Sequence, residues 1–156
     1  MAIYRNNVKS CDDVNETSDG AANADSLDLT VEIASALSDA TRVRILMALV
    51  NCRPCCDSGT RELCACQIVY LIGLAQSTVS KHISILKQVG LITSRKTGRW
   101  IYFRLADEGA SQAVRDAMEW LKRNLSNDTQ IAEDRKKLAE ITSLEVEEVC
   151  RVCLRN

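Results

Sequence analysis

The sequence predicts a mainly α-helical fold, a winged helix-turn-helix with a two-stranded wing and extra terminal helices. Three observations carry that prediction. Two segments of helical periodicity, ending near Ile72 and Val89, are separated by a short turn that opens at Gly73. They are followed by two β-branched and aromatic runs, residues 91–94 and 100–104, on either side of a tip containing Gly98. Residues 63–106 contain no Asp or Glu, while Lys81, Lys87, Arg95, Lys96, Arg99 and Arg104 all fall there.

The elements follow in order. Residues 1–26 are rich in Asp, Asn, Ser, Thr and Ala, with too few large apolar groups to cover a core, and read as a flexible N-terminal arm. Leu29, Ile33, Ala36 and Leu37 then recur at helical spacing, so a first helix runs from Asp28 to about Ser38. Asp39 can cap a second helix over residues 40–50, apolar around much of its circumference and therefore buried on several sides. Pro54 and Gly59 break the pattern across residues 51–60. A third helix begins between Arg61 and Cys64 and stops at Gly73, and a fourth spans 77–89 before Gly90. A long helix within residues 107–125 carries a stripe of Val114, Ala117, Met118, Leu121 and Leu125. Residues 127–156 form a C-terminal helical tail of one or two short helices.

Net charge is −1, which argues against nucleic-acid binding only if charge is evenly spread. It is not: residues 1–40 hold eight acids against Arg5 and Lys9, and the basic stripe is concentrated on the fourth helix and the wing. On that helix Val79, Ile83 and Leu86 share one side and pack inward. Small hydroxyls interleaved with lysines are left outside, the chemistry of a helix in a DNA major groove. The candidate contacts to double-stranded DNA are Ser77, Thr78, Ser80, Lys81, His82, Ser84 and Lys87 on the helix, with Arg95, Lys96 and Arg99 on the wing. His82, the sole histidine, reads either as a DNA-side contact or as a structural residue. Residues 27–126 thus form a DNA-binding and dimerisation domain, in which the stripes of the first and last long helices either pair across a two-fold axis as a homodimer or cover the core.

No run approaches the roughly 20 apolar residues of a membrane span, and the first residues lack the apolar region of a secretory signal, so a cytoplasmic protein with no membrane partner is expected. In a reducing compartment the eight cysteines serve metal or redox chemistry more readily than a disulfide frame, although an even count fits either. Five of them, Cys52, Cys55, Cys56, Cys64 and Cys66, crowd the approach to the third helix. Soft sulfur donors without histidine favour thiophilic ions over magnesium or calcium. Cys64 and Cys66, two apart, point to opposite sides of a regular helix and share an ion only if its first turn is distorted. A helix N-terminus also lowers a thiol pKa, favouring the ligating thiolate.

With these residues assembled, the chain resembles the arsenic-repressor (ArsR/SmtB) family of metal- and metalloid-responsive transcriptional repressors. The resemblance covers roughly residues 29–125 and rests on Leu37-Ser-Asp-Ala-Thr-Arg-Val-Arg-Ile-Leu46, Glu62-Leu-Cys-Ala-Cys-Gln-Ile68, Gln76-Ser-Thr-Val-Ser-Lys-His-Ile83 and Gly98-Arg-Trp-Ile-Tyr102. It implies a homodimer that represses its operon and leaves operator DNA when a thiophilic ion binds. Arsenite sensors of the family resemble Leu-Cys-x-Cys-x-x-Cys, and the third position here is Val69. Cadmium and lead sensors add cysteines from the N-terminal arm, which here holds only Cys11; zinc sensors use His and carboxylates on the last helix, where residues 115–125 have no His. The inducer is therefore expected to be trivalent arsenic (arsenite) or antimonite, held by Cys64 and Cys66 with a third thiolate from Cys55 or Cys56. The loop is nearest in sequence and is restricted by Pro54, whereas Cys11, Cys150 and Cys153 lie on appendages that would fold back at an entropic cost. A cadmium-, lead- or zinc-sensing repressor and a thiol-redox-sensing repressor remain alternatives on the same fold. A remote one is a dithiol-disulfide oxidoreductase using Cys52-Arg-Pro-Cys55, which would want a preceding strand where a buried helix stands. Nothing else in the sequence suggests an enzyme.

Overall fold

The computed structural model describes residues 26–54, 59–107 and 109–153. Cys11, Cys55 and Cys56, and with them the arm and the loop thiols of the sequence reading, lie outside the described residues. Helix α1 (Ser26–Leu37) buries Ile33 and Ala36. After it, α2 (Ala40–Asn51) starts as its sequence dictates, the carboxylate of Asp39 accepting from the backbone N–H of Arg42 at 3.0 Å. Ile45, Leu46, Met47, Ala48 and Leu49 are all buried, so α2 is the central helix of the core.

The reading unit follows as α3 (Ala65–Ile72), α4 (Gln76–Gln88), β2 (Ile92–Thr97) and β3 (Trp100–Leu105), with a two-residue strand β1 (Leu63–Cys64) ahead of α3. Gly73 takes the left-handed conformation, φ 75°, that ends α3. Two expectations are corrected here. The third helix begins at Ala65, because residues 63 and 64 are extended and pair with β3, Leu63 opposite Phe103 and Cys64 opposite Tyr102. The two-stranded wing β2-β3 is present as expected, and β1 adds a third strand to its sheet in the order β1-β3-β2. The wing strands also run further than expected: Arg95 and Lys96 lie within β2, opposite Tyr102 and Ile101, leaving Gly98 and Arg99 at the turn.

Helix α5 (Gln112–Leu125) is capped by Ser111, whose hydroxyl accepts from the N–H of Val114 at 3.3 Å. Its Val114, Met118 and Leu121 are buried in the core of this chain, so that stripe covers the core. What α1 and α5 leave outside is different: Leu27, Val31 and Trp120 are 71%, 57% and 52% exposed beside a groove lined by Ala34, Leu37, Ala113 and Ala117.

Beyond residue 127 come α6 (Thr129–Ile141) and α7 (Val146–Cys153). They are the helices expected of the tail, and they join the same hydrophobic cluster through Ile131, Leu138, Ile141 and Val149. A two-point ion pair ties α6 to α2, with Arg44 Nε and Nη2 donating to the buried Asp134 carboxylate at 2.7 and 2.8 Å. Among the described residues no helix is long and apolar enough to cross a membrane.

Candidate thiol site and nucleic-acid interface

The outer face of α4 is built by periodicity. Val79, Ile83 and Leu86 are buried, which turns Ser77, Thr78, Ser80, Lys81, Ser84 and Lys87 into solvent. His82 sits between the two faces: its side chain is 17% exposed, and Nδ1 lies 3.6 Å from Asp39 Oδ1 without a hydrogen-bond partner. Its position against the start of α2 suits the structural one of its two readings. On the wing, the Glu62 carboxylate, only 2% exposed, grips Arg95, one oxygen accepting from Nε at 2.8 Å and the other pairing with Nη2. The Arg95 guanidinium also lies 4.8 Å from the centre of the Tyr102 ring. Arg99 stacks on Trp100 at 4.5 Å and approaches Glu147 of α7 at 3.8 Å. Among the described residues Lys96 has no carboxylate partner.

Cys64, Cys66 and Cys150 meet, their sulfur atoms all within 4.8 Å of one another. Three elements bring them there. Cys64 closes β1 as the N-cap of α3, extended at φ −68° and ψ 150°; Cys66 lies in the first turn of α3; Cys150 comes from α7, packed on α3 from the other side. No distortion of the helix is needed, because Cys64 is outside it and the i, i+2 argument for opposite faces does not apply to an extended cap residue. Cys66 and Cys150 form a disulfide, with Cα atoms 5.3 Å apart across 84 residues of sequence. The three cysteines line a cavity of about 600 Å³ whose other walls include Val69, Arg99, Trp100 and Glu147. Val69 thus lines the same cavity as Cys150. Sequence reasoning set Cys150 aside as too distant. The available signals were the Cys150-x-x-Cys153 spacing and the apolar positions that dock the preceding helices.

Cys64 is buried, and that burial pushes its thiol above the ordinary value. The amides of Cys66, Gln67 and Ala65 at the helix start pull the other way, and the Glu147 charge raises it further. The expectation of a lowered thiol pKa is therefore corrected: the helix-start effect is present, but desolvation outweighs it. Gln67 completes the cap, its Oε1 accepting from the backbone N–H of Cys64 at 2.8 Å.

Residues 39–94 match the family model described as bacterial regulatory protein, arsR family. The cadmium resistance transcriptional regulatory protein CadC homolog of Staphylococcus aureus is 34% identical over 106 residues, 68% of this chain and 80% of that protein. The chain belongs to the arsR family of bacterial regulatory proteins. The arsenical resistance operon repressor of Escherichia coli is 31% identical over 78 residues, half of this chain and 60% of that protein. The homodimeric winged helix-turn-helix DNA-binding domain of a possible ArsR-family transcriptional regulator from Mycobacterium bovis matches with a TM-score of 0.52 at 22% identity, over 72% of this chain and 94% of that one. That likeness bears on the fold and bears out the winged helix-turn-helix. The arsR family is one of metal-responsive transcriptional repressors and not an enzyme family; with cadmium and arsenical regulators both among its members, membership alone selects no ion.

The raised Cys64 pKa has a direct readout. A thiol reacts through its thiolate, so alkylation of Cys64 by iodoacetamide should be slower than that of a free cysteine near neutral pH. The rate should keep rising about tenfold per pH unit beyond about 8.5, where an ordinary thiol levels off. A plateau below that pH, followed by peptide mass spectrometry, would show an activated thiolate instead.

Proposed function

We propose that the chain is a dimeric repressor that holds operator DNA through α4 and the wing. It lets go when a thiophilic ion, trivalent arsenic or antimonite, is bound by Cys64, Cys66 and Cys150. The observation that carries this reading is the meeting of three sulfurs within 4.8 Å at the base of the reading unit. Metal–sulfur bonds of about 2.3 Å correspond to sulfur–sulfur separations of about 3.8 Å at a tetrahedral centre, so the reduced thiols need only small adjustments to share one ion. The donor set, three thiols and no histidine, is soft. Cys150 is preferred to Cys55 or Cys56 as third donor because α7 packing already holds it beside Cys66.

Proton bookkeeping separates the ions. Arsenous acid is neutral and loses three hydroxyls as it gains three sulfurs; each thiol proton leaves with a hydroxyl as water, and no net proton is released. Cadmium, lead or zinc ions instead displace the thiol protons to solvent. Arsenite-induced operator release should therefore vary little between about pH 6 and 8, below the ordinary thiol pKa of about 8.5. Cadmium affinity should rise about tenfold per pH unit for every thiol deprotonated. Cys64→Ser, Cys66→Ser and Cys150→Ser should each bind operator and fail to respond, with Cys55→Ser and Cys56→Ser inducible. Full response in Cys150→Ser with loss in either loop variant would assign the third donor to the loop. A cadmium, lead or zinc response without an arsenite response would replace the inducer and keep the site.

The Cys66–Cys150 disulfide favours a second reading, a thiol-redox sensor. Hydrogen peroxide would take two electrons and two protons from the thiol pair, forming the disulfide and two waters. Operator release by peroxide alone, reversed by dithiothreitol without any added ion, supports it; release by ions alone excludes it.

Two further outcomes follow from the same reading. Lys81→Ala removes an exposed cation of α4 and should flatten the slope of log K against log salt by about 0.9 in each subunit for every phosphate left unneutralised. An unchanged slope places α4 away from the phosphates. The exposed apolar face of Leu27, Val31 and Trp120 is the dimer surface of this proposal, and Trp120→Glu should give a folded monomer by sedimentation, since a charge there is not desolvated without a partner. A tight Trp120→Glu dimer would move the interface elsewhere.

A further inference from the structure

Two of the wing's arginines, Arg95 and Arg99, are each held by a carboxylate whose own segment carries a cysteine of the cluster. Glu62 precedes Cys64 by two residues and is buried against Arg95. Glu147 precedes Cys150 by three, one turn earlier on α7, and faces Arg99 at 3.8 Å. The sheet strengthens the connection, since Cys64, Tyr102 and Arg95 stand in register across β1, β3 and β2, and Arg95 packs on the Tyr102 ring. With Cys150 joined to Cys66, α7 is fixed on α3 and its Glu147 is kept at the tip of the wing. Arg99 is the cation best placed at that tip to reach a phosphate, and it then has a carboxylate in the way.

From this arrangement we infer that α7 is a latch: bridging Cys150 to the helix-start thiols holds Glu147 against Arg99 and so withdraws the wing from the DNA backbone. The inference rests on the proposed thiol site and deepens it by naming the path from ion to operator. The Glu147–Arg99 pair is exposed and by itself contributes little to stability. Its effect comes from competition. If each of two wings releases one phosphate, the salt slope changes by about 1.8, which at about 0.1 M salt relative to 1 M is about 60-fold in operator affinity. That lies within the roughly 5–150-fold range usual for coupling between two sites. In the unbridged protein α7 keeps its packing on α3 through the buried Val149 and Cys150 but loses the covalent or ion-mediated tie that pins Glu147, and Arg99 can exchange it for a phosphate.

Removing the carboxylate without touching the thiols tests the latch. Full-length Glu147→Gln is titrated with sodium arsenite and with cadmium chloride, while ion binding is followed by sulfur-to-ion ultraviolet absorbance and operator binding by fluorescence anisotropy over a range of salt. The variant is expected to reach the same saturating ion absorbance as the wild type and to keep its ion-free operator affinity. Its ion-induced release should fall by about that 60-fold, with nearly the same salt slope with and without ion. Arg99→Ala should likewise show no change of slope on ion binding. Release and slope change identical to wild type in Glu147→Gln, at equal ion absorbance, would overturn the latch and leave the thiol site standing. Absence of ion absorbance and of release in the wild type with both ions would remove the thiol site itself, and the latch with it.

Discussion

The pairing of β3 with two neighbours at once is the constraint on which the rest of the molecule depends. On one side β3 forms the hairpin with β2, from Ile92 opposite Leu105 to Thr97 opposite Trp100. On the other it holds Leu63 and Cys64, so the start of α3 is anchored to the wing by backbone hydrogen bonds. Burial of Leu63, Ile68, Leu71, Leu86, Leu91 and Ile92 around that junction fixes α3 and α4 against the sheet. The apolar face of α4 then has a single way to point, and its hydroxyl and lysine face has only solvent, or DNA, to meet. A two-residue strand is too short to be stable alone; it persists because the helix after it and the strand beside it are both packed.

The same junction explains the electrostatics. Six cations and no acid in residues 63–106 suggest an unopposed basic surface. The fold supplies acids from outside that window, Glu62 just before it, Asp107 just after it and Glu147 far beyond it. A basic stripe read from sequence is therefore an upper limit on the positive potential that the folded wing presents. The half-buried Glu62–Arg95 pair is part of the framework, while the exposed Glu147–Arg99 pair is weak enough to be exchanged for a phosphate.

Most of the reading unit was legible in the sequence because its signals are local. Asp39 before an apolar helix, Gly73 and Gly90 after helical runs, and the spacing of Val79, Ile83 and Leu86 each report on residues a few positions away, and each is found in the structure where expected. The misses share a different cause. Residues 63 and 64 have no periodicity of their own, and their extended form is set by β3, some forty residues later. The partner of Arg99 and the position of Cys150 depend on how α7 docks, which no local pattern encodes. Nearness in sequence favoured the loop thiols on entropic grounds, but Ile131, Leu138, Ile141 and Val149 are all buried, so the cost of bringing Cys150 back is borne by the core and not by the site. The thiol pKa erred for a related reason: the helix start could be read, whereas the burial of Cys64 could not.

The 84 residues separating Cys66 from Cys150 also impose an order in time. Translation at roughly 5–20 residues per second puts about 4–17 s between the emergence of the two sulfurs from a ribosome. During that interval α4, the wing and α5 emerge and can fold around α2, while neither α7 nor its thiol is present. On the proposed thiol site, a nascent chain on the polysome thus acquires its reading helix and wing before α7, the helix that supplies Cys150.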